Sequence, residues 1–330
     1  MSETRAATTW VVIGASGFVG SRIVADARSR GITVVELAAP RLEAAPATAA
    51  SARAVAAGTV DVVDELAAAF RGVEVVVNAA GLATPDAEMS ASLVGANAAL
   101  PLVALAAARR SGAKRFVHLS SAAVQGPVPV LDESTRTMPF SPYSQSKAWG
   151  EQLLVEARAE GAPGDATEIV VVRATSVQGP GRPTTERLRR LAASPLASVA
   201  SPGTAPTPIT SVDALADFVV AVGVHQAPVP TIVLQPWEGM TVSSVLQAAG
   251  DRRPLRLPPA LCRAAVVSAL ALSRLLGGRF AGTIRRVELM WFGQDQADGW
   301  ARQAGIAFPS RIEQVLRGGL PASESSVEKR

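Results

Sequence analysis

Tyr143 is the sole tyrosine in 330 residues, and Lys147, one of three lysines, follows it by four places. Residues four apart share one face of a helix. A helix through Tyr143-Ser144-Gln145-Ser146-Lys147 would therefore set a phenol and an ammonium one turn apart. The ammonium would favour the phenolate and draw the phenol's pKa toward working pH. Such a phenol can give or take the proton of a hydroxyl or carbonyl while hydride moves to or from a carrier. A packed aromatic beside a surface lysine is the plainer alternative. Ser121 follows the β-branched run Arg115 to Leu119. At the C-terminal end of a parallel strand, where ligands bind, its hydroxyl can hold the reacting oxygen opposite Tyr143; its plainer reading is a turn cap.

A hydride carrier has its own signature near the N-terminus. Gly14-Ala15-Ser16-Gly17-Phe18-Val19-Gly20 directly follows the strand-like Trp10 to Ile13 and opens a helical stretch through about Arg30. Gly14 allows a tight turn, Gly17 the approach of a pyrophosphate to the backbone, and Gly20 close packing of helix on sheet. Unsatisfied N–H groups at the helix start suit phosphate charge. Gly14, Ser16, Gly17, Phe18, Val19 and Gly20 thus predict a nicotinamide dinucleotide site. At the end of the second strand an acid would read the ribose of NAD, and an arginine the 2′-phosphate of NADP. Counting from Gly14 puts that position near Ala38, with Arg41 just beyond and Glu36 inside the strand. NADP is preferred over NAD on that ground, with Arg41 as an ordinary loop residue the alternative.

The elements that would position these residues alternate strand and helix. After Trp10 to Ile13, the runs Ile32 to Leu37, Val73 to Asn78, Arg115 to Leu119 and Glu168 to Arg173 have strand character. Met89 to Ser111, stopped by Gly112, and Pro142 to Glu160 have helical period. The repeated order predicts an α/β fold, a Rossmann-type doubly wound parallel sheet, over residues 1–180. Residues 181–320 read as a smaller, mostly helical substrate-binding portion with one strand at Thr231 to Leu234, some segments of which return to the first domain. Pro40 to Ala57 reads as a loop or loose helix, Pro180 to Pro208 as an irregular, mobile stretch, and 321–330 as a disordered tail.

Composition removes other classes. Hydrophobic residues make up 48% and charged residues 18%, which excludes global disorder. The net charge of +4 is scattered without a long Lys/Arg run, so no nucleic-acid partner is expected. Arginines suit a phosphate-bearing small molecule. One cysteine, Cys262, and two histidines, His118 and His225, leave no thiolate cluster and no expected metal site. The polar start lacks a signal-peptide stretch. Leu255 to Leu276 is apolar but broken by Pro258, Pro259, Arg263 and Arg274, which favours a buried or surface-docked helix over a membrane-surface one and rules out a span. The expected location is the cytoplasm.

Together these residues resemble the extended short-chain dehydrogenase/reductase superfamily in its NAD-dependent epimerase/dehydratase branch, from about Trp10 to Leu320. The resemblance implies that Asp61, with Val62 before a helix start at Asp64, contacts adenine. It implies that Asn78-Ala79-Ala80-Gly81 lies along the cofactor, that Asn97 is structural, and that Lys147 also holds the nicotinamide ribose. It further implies that Ser121 to Gly126 carries the catalytic serine, that Arg173 to Gly181 runs from the last Rossmann strand to the substrate region, and that Ala174 binds the cofactor. Homodimers are common in the family. Several positions depart from it: Gln125 and Gln178 replace aromatics, Ser176 an asparagine, and Ala83 a lysine. Arg182, Arg187 and Arg190 are candidate phosphate contacts in place of the family's usual arginine.

The leading expectation is an oxidoreductase of nucleotide-sugars, an epimerase or 4-keto-sugar reductase, using Ser121, Tyr143 and Lys147. One alternative is an NADP-dependent reductase or dehydrogenase of an apolar, steroid- or flavonoid-like compound. Another is a non-catalytic NAD(P)-sensing protein.

Overall fold

The computed structural model describes residues 8–83, 88–161, 166–275 and 280–318. The expected tail at 321–330 lies outside them, as does most of the polar start. Six strands form one parallel sheet: β1 (Thr9–Ile13), β2 (Thr33–Leu37), β3 (Val75–Asn78), β4 (Arg115–Ser121), β5 (Glu168–Ala174) and β6 (Ile232–Leu234). Their spatial order is β6-β5-β4-β3-β1-β2. The strand order reverses beside β1, so the crevice beyond the carboxyl ends of β1 and β3 is where such a sheet takes a ligand.

Alternation along the strands builds two cores. Val11 and Ile13 join Val76, Phe116, Ile169 and Val171 on one face. Trp10 and Val12 join Val77, Val117, Val170 and Val172 on the other. Side chains of a strand point alternately to opposite faces, and a parallel sheet needs both covered. The first face is covered by α2 (Ala49–Gly58), α3 (Val60–Ala69), α4 (Leu100–Ser111) and α5 (Pro142–Ala159), and the second by α1 (Gly20–Ser29) and α7 (Val212–Val224). Between α5 and α7 lies α6 (Pro183–Ala193).

The helix expected from Met89 is present, but its start is unusual. A turn at Ala91–Val94 passes into a π segment, Gly95–Ala99, before α4, and Gly112 ends the helix in the left-handed region at φ 76°. Among the described residues, Ala91–Ser111 is the one helical run long and apolar enough to cross a membrane, and it is 72% buried within the protein.

The second portion corrects two expectations. Pro180 to Pro208 is not irregular throughout: it contains α6 and the strand Ser198–Ala200. Pro183 occupies the first helical turn, where its fixed φ and missing N–H are harmless. The region also contains more than one strand. Ser176–Gln178 pairs with Ile209–Ser211, Leu255–Leu257 with Ser198–Ala200, and Asp295–Gln296 with Val130–Leu131. These pieces are two or three residues long, too short for a period to show in sequence. They surround α8 (Val242–Gly250), α9 (Pro259–Leu275) and α10 (Ala281–Phe292).

Candidate active site

Ser141 caps α5. Its hydroxyl accepts from Ser144 N at 3.2 Å while the Ser144 hydroxyl accepts from Ser141 N at 3.0 Å, a reciprocal capping box, with Pro142 in the first turn. Tyr143 therefore sits in the first turn and Lys147 one turn deeper. Ser121 faces the Tyr143 phenol closely enough to draw its pKa down. The Ser121 oxygen accepts from Ala123 N at 3.2 Å, which leaves its own proton to donate. Ala174 lies directly beside Ser121 on β5.

The charges are arranged differently from expectation. Burial holds the Tyr143 phenol above its ordinary pKa, and what pulls it back is the Ser121 side chain and the Arg182 guanidinium. The Lys147 ammonium is not among those groups: it donates instead to Leu119 O at 2.9 Å. Burial brings Lys147 itself down to about 8, partly opposed by Glu151 one turn further on. Arg182 stacks 4.7 Å over the Phe18 ring and donates to Val177 O at 2.8 Å.

The glycine turn lies at the head of the same crevice. Gly14 N donates to Leu37 O at 2.8 Å and Ala79 N to Ile13 O at 3.0 Å, which ties β1, β2 and the end of β3 together. A Cβ at Gly14 (φ 79°) would fall 2.9 Å from Ala80 Cα, and one at Gly20 would collide with Gly14 O. The N–H groups of Ser16, Phe18 and Val19 have no acceptor among the described residues. A cradle closed to side chains and lined with unused donors at a helix start fits a pyrophosphate.

Below it, Asn97 on the π segment accepts from Leu82 N at 3.0 Å and donates to Leu82 O and Ser146 Oγ, both at 3.0 Å. It thereby locks the chain after β3 to α5. The π turn supplies the extra residue that aims Asn97 inward, a common use of such segments.

The sequence profile of the NAD dependent epimerase/dehydratase family matches residues 10–227. The chain belongs to that family. Among curated relatives it is 31% identical over 165 residues to a UDP-glucose 4-epimerase of Azospirillum brasilense, covering 48% of this chain and 47% of the relative. It is 33% identical over 164 residues to a 4-hydroxy-2-methyl-3-oxo-4-farnesyl-3,4-dihydroquinoline-1-oxide ketoreductase of Stigmatella aurantiaca, covering 48% of each. The chain thus spans about half the length of the curated relatives it matches. A solved UDP-glucuronic acid 4-epimerase from Bacillus cereus, in complex with NAD, superposes with TM-score 0.64 at 17% identity over 94% of this chain and 97% of that one. A UDP-glucose 4-epimerase from Brucella ovis, also with NAD, gives 0.63 at 19% over 96% and 98%. At these identities the structures share the fold.

Against the family's pattern, several candidate positions stand apart. Arg41 is exposed in the loop after β2, and Ala38 is the first residue beyond that strand. Glu36 is engaged with Arg28 at 2.8 Å. The expected helix start at Asp64 is corrected: α3 begins at Val60, because the Ala-rich stretch continues the helical period. Asp61 is therefore an exposed first-turn residue and Val62 packs against the core. Of the three candidate arginines, only Arg182 acts electrostatically on Tyr143; Arg187 is exposed on α6, and Arg190 lines a separate cavity with Arg189 and Arg317. Gln125, in an aromatic's place, is buried and donates to Asp132 at 2.5 Å. Among the described residues no group of three His, Cys, Asp or Glu side chains could hold a metal.

Sequence reasoning passed over two residues. His118 is fully buried on β4, aligned with Asn78 on β3 and 3.2 Å from its amide nitrogen. Burial and the Lys147 charge hold it neutral, with a pKa well below the ordinary histidine value. Asn78 donates to His118 Nδ1, so the proton sits on Nε2, which has no partner among the described residues. The second is Glu151, considered below with Arg173.

Lys147 gives a stability test with a definite sign. Its folded pKa of about 8 lies below the ordinary lysine value of 10.5, so the unfolded chain binds more protons between those values. Its contribution to stability therefore rises with pH across that window. The buried charge costs most below about 8, by about 3 kcal/mol from the size of the shift. In chemical denaturation Lys147→Met should gain on the wild type at neutral pH, and the gap should narrow as pH rises beyond about 8. A gap independent of pH would remove the titration of Lys147 as its cause.

Proposed function

We propose that the chain is an NAD(P)-dependent enzyme of nucleotide-sugar chemistry, an epimerase or 4-keto-sugar reductase. The observation that carries this reading is Tyr143 beside Ser121, with Lys147 one turn below, at the carboxyl edge of the sheet that also holds the glycine turn. Ser121 orients the reacting oxygen. Tyr143 takes the hydroxyl proton when the carbon is oxidised and returns one when a carbonyl is reduced. Lys147 holds the nicotinamide ribose, and Arg182 stabilises the phenolate as it forms. Gly14, Ser16, Gly17, Phe18, Val19 and Gly20 receive the pyrophosphate, with Asn78, Ala79, Ala80 and Ala174 along the crevice. The dinucleotide, when bound, supplies or accepts hydride at nicotinamide C4.

The sugar reading is supported by the Azospirillum epimerase and by the solved relatives crystallised with UDP-sugars or NAD. It is tested by NMR of a UDP-sugar panel for inversion at C4 and by NADPH absorbance with a 4-keto-sugar. Inversion with retained cofactor identifies an epimerase, and NADPH consumption a reductase. The absence of both defeats the reading. The Stigmatella relative supports a second reading, reduction of an apolar ketone; turnover of a prenylated quinolone-type ketone without turnover of any nucleotide-sugar would favour it.

For the cofactor we propose NADP over NAD, because Ala38 offers no ribose acceptor, Glu36 is paired, and Arg41 is exposed beside the strand end. Loss of a charge-assisted contact costs about 1.5–3 kcal/mol, roughly 10–100-fold. Arg41→Ala should weaken NADPH binding by that factor in fluorescence titration and leave NADH nearly unchanged. Equal effects on both would reverse the preference.

A further inference from the structure

Helix α9 buries one stripe and exposes another that is just as apolar. Cys262, Val266 and Ser273 face the protein. Leu261, Val267, Leu272 and Leu275 are 59%, 66%, 58% and 84% exposed, with Ala264, Ala265 and Ala271 between them also exposed. Leu261, Ala265, Ser268, Leu272 and Leu275 follow the helical repeat, so the exposed residues form one band, apolar except for Ser268. An apolar band of that length marks a contact surface.

The charges along this stretch of chain, after Asp251, are of one sign. From residue 252 to 275 the chain carries Arg252, Arg253, Arg256, Arg263 and Arg274 and no Asp or Glu. Arg263 and Arg274 are eleven residues apart, three turns along the same flank of the band. Arg253 and Arg256 lie just before the helix and line a cavity of about 500 Å³ with Ser243, Gln247 and Pro254. All five arginines are exposed. An antiparallel two-fold pairing of this face with itself would set the Arg263–Arg274 flanks side by side. With Arg263 and Arg274 on its flank, α9 is unsuited to crossing a bilayer. It has the character of a helix that lies in the interface plane, apolar side down, with basic side chains reaching the headgroups.

We propose that α9 docks the protein on an anionic lipid bilayer, independently of which reaction the crevice performs. The band enters the acyl boundary, and Arg253, Arg256, Arg263 and Arg274 meet phosphate headgroups. The test is co-sedimentation of the full chain with phosphatidylcholine vesicles, with and without phosphatidylglycerol. Binding is expected with phosphatidylglycerol and little without it. Val267→Asp combined with Leu272→Asp should lower the bound fraction at least tenfold. Arg256→Gln combined with Arg274→Gln should lower it roughly fivefold per arginine, the usual weight of one basic residue near such a surface. The arginine pair lies fully on the surface, so it tests the proposal even if the aspartates impair folding. Three results would overturn it: no binding to phosphatidylglycerol vesicles, binding unchanged by both double variants, or a concentration-dependent dimer that Leu272→Asp dissolves.

Discussion

Tyr143→Phe should lower kcat by about 10²–10⁴-fold, the usual worth of a positioned acid/base, on whichever substrate the panel identifies. The phenyl ring keeps the packing but cannot carry the proton that must leave or join the substrate oxygen. NAD(P)H binding and unfolding midpoint should remain close to wild type, because the neighbouring Ser121 keeps its contact with Ala123 N. Initial rates and cofactor fluorescence check both halves. Unchanged kcat would take Tyr143 out of the mechanism. A fall in kcat accompanied by lost cofactor binding would assign it a structural role.

Glu151→Ala should destabilise the fold by about 3–5 kcal/mol, the cost of leaving one member of a buried ion pair alone. Arg173 is fully buried on β5 and donates to Glu151 Oε2 at 2.7 Å from Nη2, and at 3.2 Å to both carboxylate oxygens from Nε. Its Nη1 donates to Asp132 O at 3.1 Å and Ser134 O at 2.7 Å, and Ser120 Oγ donates to the same carboxylate at 2.5 Å. This network fastens β5, the end of β4, the chain at 132–134 and α5 to one another. Replacing both charges, Arg173→Met with Glu151→Leu, should recover most of the loss, because desolvated pairs contribute little beyond well-packed apolar groups. Urea unfolding of the single and double variants gives the comparison. If the single variant costs under about 1 kcal/mol, the pair is as weak as a surface one.

The first half of the fold was legible because its signals are local. The turn from Gly14 to Gly20, the stop at Gly112, and the strands ending at Asn78 and Leu119 each depend on residues close in sequence. The misplaced start of α3 has a local cause too: an Ala-rich run carries helical period without marking where a cap falls, so Asp61 read as preceding the helix it begins. The short strands of the second half were not legible, because a three-residue segment becomes a strand only when a partner lies beside it. The same holds in the candidate site. Nothing in the sequence near Tyr143 indicates that its cationic neighbour is Arg182, thirty-nine positions away, rather than Lys147. His118 and Glu151 gain their meaning from Asn78 and Arg173, which only the fold brings to them. The exposed band on α9 lay between: its apolar character was plain, but which side faced water was not.

The capping box of α5 has a consequence for how the chemistry is mounted. Lys147 sits within an intact run of helix, whereas Tyr143 rides on the outermost turn, the part of any helix most prone to unwind. The hydroxyls of Ser141 and Ser144 act as a clasp on that turn, and the alignment of the phenol depends on their staying fastened. Two side chains with no proton to contribute therefore govern whether the one that moves protons is in position.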